Sequence, residues 1–242
     1  MIGCWGLGTS RRLPLLLLTL ASMALAGCAS SPQRSDQREA ADAYAQLGAA
    51  YLEQGNVGRA RDALDRALSL DAHHGEALQA LALVYQQQGE GELADATFRR
   101  ALNAAPSLTR TRNNYAAFLY ADSRYTEACE QLELAAQDTQ YANRAQLFTN
   151  LGQCYTALGQ TQRARESLER ALTIDPRYSR GYWMLTELEV TQGNYVEAWA
   201  PLQRYLQLAG ADRPALEMAV EIATARSDTT AADHYRQQLD HF

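Results

Sequence analysis

The sequence predicts an all-α chain: a right-handed superhelix of about six helix-turn-helix units, the last one degenerate and capping. Three observations predict it. From Ala41 onward one apolar pattern returns at a spacing of 34 residues. Place 20 of every unit is alanine: Ala60, Ala94, Ala128, Ala164, Ala198 and Ala232. Glycine recurs at place 15 (Gly55, Gly89, Gly159) and proline at place 32 (Pro106, Pro176), where a first and a second helix should stop.

Residues 1–27 read as a signal peptide. Arg11 and Arg12 precede an almost wholly apolar run, Leu13 to Ala26, which closes on small residues. The run falls short of the roughly 20 residues a membrane-spanning helix needs. It ends in Leu25-Ala26-Gly27-Cys28, which resembles the lipobox of bacterial lipoproteins. The resemblance implies that Cys28 is the lipid attachment residue, acylated first on its thiol and then on the amine freed by cleavage. By likeness to the sorting rule of such proteins, Ala29 in place of aspartate directs the chain to the periplasmic face of the outer membrane. The lipidated N-terminus and a flexible tether occupy residues 28–40, which are small and polar with nothing to bury.

The solenoid then fills 41–242, divided as 41–74, 75–108, 109–144, 145–178, 179–212 and 213–242. Places 4, 7, 11 and 24 carry large residues, in the first unit Tyr44, Leu47, Tyr51 and Leu64. Their spacing puts them on one helical face, and the small residue at place 8 (Gly48, Ala82, Gly152) lets two helices approach. A hairpin of this kind cannot bury its apolar faces alone, so stacked neighbours complete a shared core. The third unit has two extra residues in its Gln137 to Arg144 connection. The fifth is weaker, with Thr186 and Glu189 at places 8 and 11, and the sixth has Arg236 at place 24.

At nearly every signature place this pattern resembles the tetratricopeptide repeat. In that family the first helices line a concave groove that holds a protein partner. Carried over, the lining is Ala45, Ala49, Leu52, Gln79, Leu83, Gln86, Asn113, Ala117 and Tyr120, with Thr149, Gln153 and Thr156 beyond. Trp183 and Glu187 close it, and Trp183 is the expected anchor, because aromatic residues dominate interface hot spots. Partial burial against the sixth unit is the alternative for Trp183. Asn114 and Asn150, both at place 6, are expected to be structural. Such a small, apolar, amide-rich lining suits an apolar or amphipathic segment of a protein partner.

Catalysis is not expected. No acidic residue precedes Cys28, so losing Arg11 and Arg12 takes the formal charge from −6 to −8, a poor match to nucleic acid. All 22 basic residues are arginine, which excludes Schiff-base chemistry and a phosphate-loop lysine. His73, His74, His234 and His241 make no familiar metal spacing, and no cofactor is expected. Cys129 and Cys154 fall on helices that should pack antiparallel. We expect two buried thiols there, with a disulfide as the alternative.

A lipoprotein signal leading directly into about six such units resembles the type IV pilus biogenesis and stability proteins, the pilotin family often called PilF or PilW. Tyr44 to Gly55, Asn113 to Tyr120, and Asp138, Tyr141 and Arg144 leading into Asn150-Leu151-Gly152 carry the likeness. Ala142, where that family would have proline, and the short C-terminus depart from it. The resemblance implies a protein that binds the secretin subunit of the pilus machine and promotes its outer-membrane localisation and multimer assembly. The alternative is a repeat lipoprotein serving another envelope process, such as outer-membrane protein assembly or regulation of a cell-wall enzyme.

The absence of lysine makes the anchor testable, because a triacylated mature chain has no primary amine. An amine-reactive dye should leave the native mature protein dark and label a processed Cys28→Ser form. Labelling of the native protein would remove N-acylation.

Overall fold

The computed structural model describes residues 1–3 and 32–241. The expected signal segment from Cys4 onward and Cys28 lie outside the described residues. Twelve helices and no strands are described. They are α1 (Pro32–Glu53), α2 (Val57–Leu70), α3 (Gly75–Gln87), α4 (Gly91–Ala104), α5 (Thr109–Ala121) and α6 (Tyr125–Ala135). Then follow α7 (Arg144–Ala157), α8 (Thr161–Ile174), α9 (Ser179–Thr191), α10 (Tyr195–Ala209), α11 (Arg213–Ala225) and α12 (Thr229–Leu239). Each odd-numbered helix pairs with the next as a hairpin, and each hairpin stacks on its neighbour.

Close approach inside the first and fourth hairpins comes from one small-against-large contact. A Cβ added at Gly48 would sit 2.6 Å from Leu64 Cγ, and one at Gly152 would sit 2.7 Å from Leu168 Cγ. The place-20 alanines lie on the facing helix and are fully buried, Ala232 nearly so. Around these contacts Phe98, Tyr115, Phe118, Leu119, Leu147, Leu151 and Leu168 form a continuous core through the middle units.

The turn between the two helices is the same in all six hairpins. The backbone N–H at place 16 reaches back five residues to the carbonyl at place 11: Asn56 to Tyr51, Glu90 to Tyr85, Arg124 to Leu119, Gln160 to Tyr155, Asn194 to Glu189, and Asp228 to Ala223. All six bonds lie between 2.8 and 2.9 Å. This closure needs the intervening place-15 residue in the left-handed region. Gly55, Gly89, Gly159 and Gly193 supply it, but Ser123 and Ser227 are held at φ 60 in the other two.

Three features depart from the sequence reading. The stretch expected to be a flexible tether is helical from Pro32, so α1 runs without a break into the first unit. Its Ser35 to Glu39 are exposed, which fits their lack of apolar surface. Tyr44 and Leu47 were expected in the core but are 36% and 42% exposed. Their equivalents Leu78 and Leu81 are buried because α3 lies against α2, whereas no described helix precedes α1. Finally, α10 continues through Pro201, which the periodicity gave no reason to expect.

The fifth unit, weak by pattern, is held by polar contacts instead. Thr186 is buried at place 8 and donates to the Tyr182 carbonyl at 2.9 Å. Glu189 at place 11 is only 3% exposed, and Arg165 of α8 grips it through both carboxylate oxygens. Asn194 adds a bond of 2.8 Å. Hydrogen bonding from Arg165 outweighs desolvation and holds the Glu189 carboxyl below the ordinary carboxylate range.

A serine in the left-handed region is strained by about 1–2 kcal/mol, while glycine there carries an unfolded-state entropy cost of about 0.4–1 kcal/mol. Ser123→Gly should therefore stabilise the array by about 0.5 kcal/mol, read as a higher midpoint in thermal unfolding. An unchanged or lower midpoint would contradict the strain.

Candidate partner-binding groove

The odd-numbered helices present the N-terminal turn and one face of each unit to a common concave side, because a 34-residue repeat returns each place to the same orientation. Two clefts lie along it. The first, about 460 Å³, is walled by Ala45, Ala49, Leu52, Gln79 and Leu83, with Glu53, Glu76 and Arg110 at its edges. The second, about 290 Å³, is walled by Asn113, Ala117, Tyr120, Asn150 and Gln153, with Arg180 at its edge. Asn114 borders both, so the clefts join into one groove over the first five units.

Place 5 forms the floor of this groove. Ala45, Gln79 and Asn113 are buried there, and Thr149 continues the row, donating to the Ala145 carbonyl at 3.0 Å. Ala117 stands exposed at place 9, while Ala49, Leu83, Leu52, Gln86 and Tyr120 are half-buried. Gln86 borders neither cleft. Tyr120 leans on Tyr125 with ring centres 5.0 Å apart. Asn150 donates to Asn113 at 3.0 Å, so these two amides tie α7 to α5. Asn114 keeps its amide at the junction of the clefts.

Trp183 stands apart from both clefts. It is half-buried and packs on Tyr205 of its own hairpin, ring centres 5.0 Å apart, within a cluster that includes Leu202 and Met218. Burial pushes the neighbouring Glu187 carboxyl above the ordinary range, opposed by a hydrogen bond from Trp183.

Sequence reading left the groove's charges out. Glu76, Arg110 and Arg180 all stand at place 2, and Glu53 at place 13. In the tetratricopeptide repeat both places belong to the groove lining together with places 5, 9 and 12, so register could have found them. Two further polar links brace the groove from behind. His74 caps α3, its Nδ1 accepting from the Ala77 N–H at 3.1 Å, which leaves Nε2–H to donate to Asp42 on α1 at 2.8 Å. Tyr115 donates to Asp95 at 2.7 Å, and Arg124 bonds the same carboxylate at 2.8 Å. That carboxyl stays below its ordinary range although burial opposes the shift, because Tyr115 and Arg124 together outweigh desolvation.

Cys129 of α6 and Cys154 of α7 are joined as a disulfide, which overturns the expectation of two buried thiols. Their Cα atoms lie 5.7 Å apart, within the range a bridge allows. The antiparallel packing of α6 on α7 brings the two together across the lengthened Gln137 to Arg144 connection. The bridge therefore fixes the helix that carries Gln146, Asn150 and Gln153 into the groove.

Known proteins share both the sequence and this architecture. Models of the tetratricopeptide repeat match residues 51–116, 107–177 and 149–213. The type IV pilus assembly protein PilF of Pseudomonas aeruginosa is 34% identical over 229 residues, covering 92% of this chain and 91% of that protein. A solved structure of Pseudomonas aeruginosa PilF superposes with a TM-score of 0.78 at 33% identity, over 85% of this chain and 93% of that one. PilW, described as a widely conserved type IV pilus biogenesis factor, gives 0.75 at 25% identity, over 83% and 92%.

Since 25 residues separate the bridged cysteines, the bridge should contribute about 3 kcal/mol. Thiol titration of denatured, unreduced protein lacking residues 1–28 should find no free thiol, and Cys129→Ser should lower the thermal midpoint. Two titratable thiols per chain would contradict the bridge.

Proposed function

Because the chain belongs to the family of the type IV pilus assembly protein PilF, as the 34% identity over nearly the whole of both chains shows, we propose that it is a pilotin. In this reading it is a lipoprotein, anchored through Cys28 to the periplasmic face of the outer membrane. It binds the secretin subunit of the pilus machine and promotes secretin localisation and multimer assembly. The observation that carries the reading is the match to PilF over 92% of this chain and 91% of that protein.

Physical features support it. The groove offers apolar surface flanked by amides. A groove of this kind binds by laying out a segment of another protein along it. Among the described residues no helix is long and apolar enough to cross a membrane. Attachment through an N-terminal lipid supplies the membrane contact instead, and three acyl chains exceed the two signals that stable anchoring needs.

Deletion of the gene should abolish heat-stable secretin multimers in envelope fractions and twitching motility with them. Complementation with the Cys28→Ser form should restore neither fully, since the carrier would no longer be delivered. Normal multimers in the deletion strain would refute the pilotin reading.

A further inference from the structure

Place 2 lies in the first turn of α3, α5, α7 and α9 and at the equivalent level within the longer α1, so its residues from successive units make one row along the rim of the groove. From the first unit to the fifth the row reads Asp42, Glu76, Arg110, Gln146, Arg180. It passes from acidic to basic. Asp42 is engaged by His74. Glu76 and Arg110 stand 4.0 Å apart with both side chains more than half exposed, a pair worth little and readily exchanged for another partner.

At each end one charged side chain forms no ion pair among the described residues. Glu53, at the C-terminal end of α1, adds a second carboxylate at the edge of the first cleft and has no ion-pair partner among the described residues. Arg180, at the edge of the second cleft, is met by the Gln153 amide at 3.3 Å and forms no ion pair among the described residues. The other acid on the same side of α9, Glu187, is engaged by Trp183. Helices pack about 8–10 Å apart, so four steps from α1 to α9 give roughly 35 Å, the reach of about ten extended residues.

We infer that the groove takes an extended segment of about ten residues that is cationic at one end and carries a carboxylate at the other. The cationic end lies over Glu53 and Glu76, and the carboxylate pairs with Arg180. Between them the segment presents small or aliphatic side chains to Ala49, Leu52 and Leu83, while groove amides meet its backbone. Opposite charges at the two ends fix the direction of the segment, since the reversed orientation sets like charges against each other. This inference rests on the groove being the partner site of the proposed function, but it does not require the partner to be the secretin.

Photo-crosslinking in intact cells with the full-length protein tests it. A benzophenone amino acid replaces Gln46 in the first unit or Gln146 in the fourth, both exposed at the groove. The captured segment is then sequenced by mass spectrometry. Both positions should capture one stretch, with lysine or arginine beside the Gln46 crosslink and a carboxylate beside the Gln146 crosslink. Arg180→Glu should cut the Gln146 yield severalfold, and reversing the captured acid to arginine should restore it. A stretch of the opposite polarity, an uncharged stretch, or no capture at either position overturns the inference. A stretch of the right polarity from a protein other than the secretin leaves it standing and overturns the secretin reading instead. Circular dichroism of each variant confirms that the fold is intact.

Discussion

The contact between a small residue on the first helix of a hairpin and a large one on the second sets the geometry on which everything else in this chain depends. At Gly48 against Leu64 and Gly152 against Leu168 there is no room for even one methyl group. Two helices held that closely leave their outer apolar faces with no partner inside the hairpin, and only the next hairpin can cover them. Stacking then follows, and the first helices are carried to a common side where their short N-terminal turns form the groove. The groove is thus a by-product of close packing and is as rigid as the core behind it.

Much of the fold was legible because the repeat is a physical requirement restated in each unit. Alanine at place 20 recurs because the buried space at Ala60 through Ala232 admits nothing larger without displacing the facing helix. What stayed hidden were single solutions to local problems. Serine at positions 123 and 227 does the work of glycine because the closing hydrogen bond, not the residue type, fixes the left-handed turn. Glu189 looked like decay of the pattern, yet Arg165 from the preceding hairpin makes it a buried ionic joint, which only three-dimensional adjacency reveals. Buried acids joined to arginines of this kind supply specificity of docking between units as much as stability.

Legibility of the groove was uneven for the same reason. Its apolar and amide floor was carried over from the resemblance to the tetratricopeptide repeat, whose register assigns Ala45, Gln79, Asn113 and their neighbours to the concave side. Asn150, expected to be structural, is spent on Asn113, while Asn114, of which the same was expected, stands at the junction of the two clefts. For Trp183, where an anchor and partial burial against the sixth unit were both open from sequence, the ring packs on Tyr205 and in a cluster with Met218 of that unit. The disulfide between Cys129 and Cys154 closes the one connection that breaks the period, so the middle of the groove does not rely on the longer loop for its shape.

The continuation of α1 back to Pro32 alters the mechanics of an anchored protein. At about 1.5 Å per residue its 22 residues make a rod of roughly 33 Å, of which the leading part projects ahead of the first hairpin. Only Ala29, Ser30 and Ser31 separate Pro32 from the cysteine proposed to carry the lipid. Four residue steps span at most about 14 Å, so with the lipid on that cysteine the leash would be short and the rod would begin close to the bilayer surface. A body so anchored would swing on a pivot instead of wandering on a tether. The tilt of one helix then sets both the height of the whole solenoid above the bilayer and the compass heading of its concave face. Cargo laid along that face would reach the membrane within a narrow cone of approach, its position steered by the stalk as much as by its own affinity.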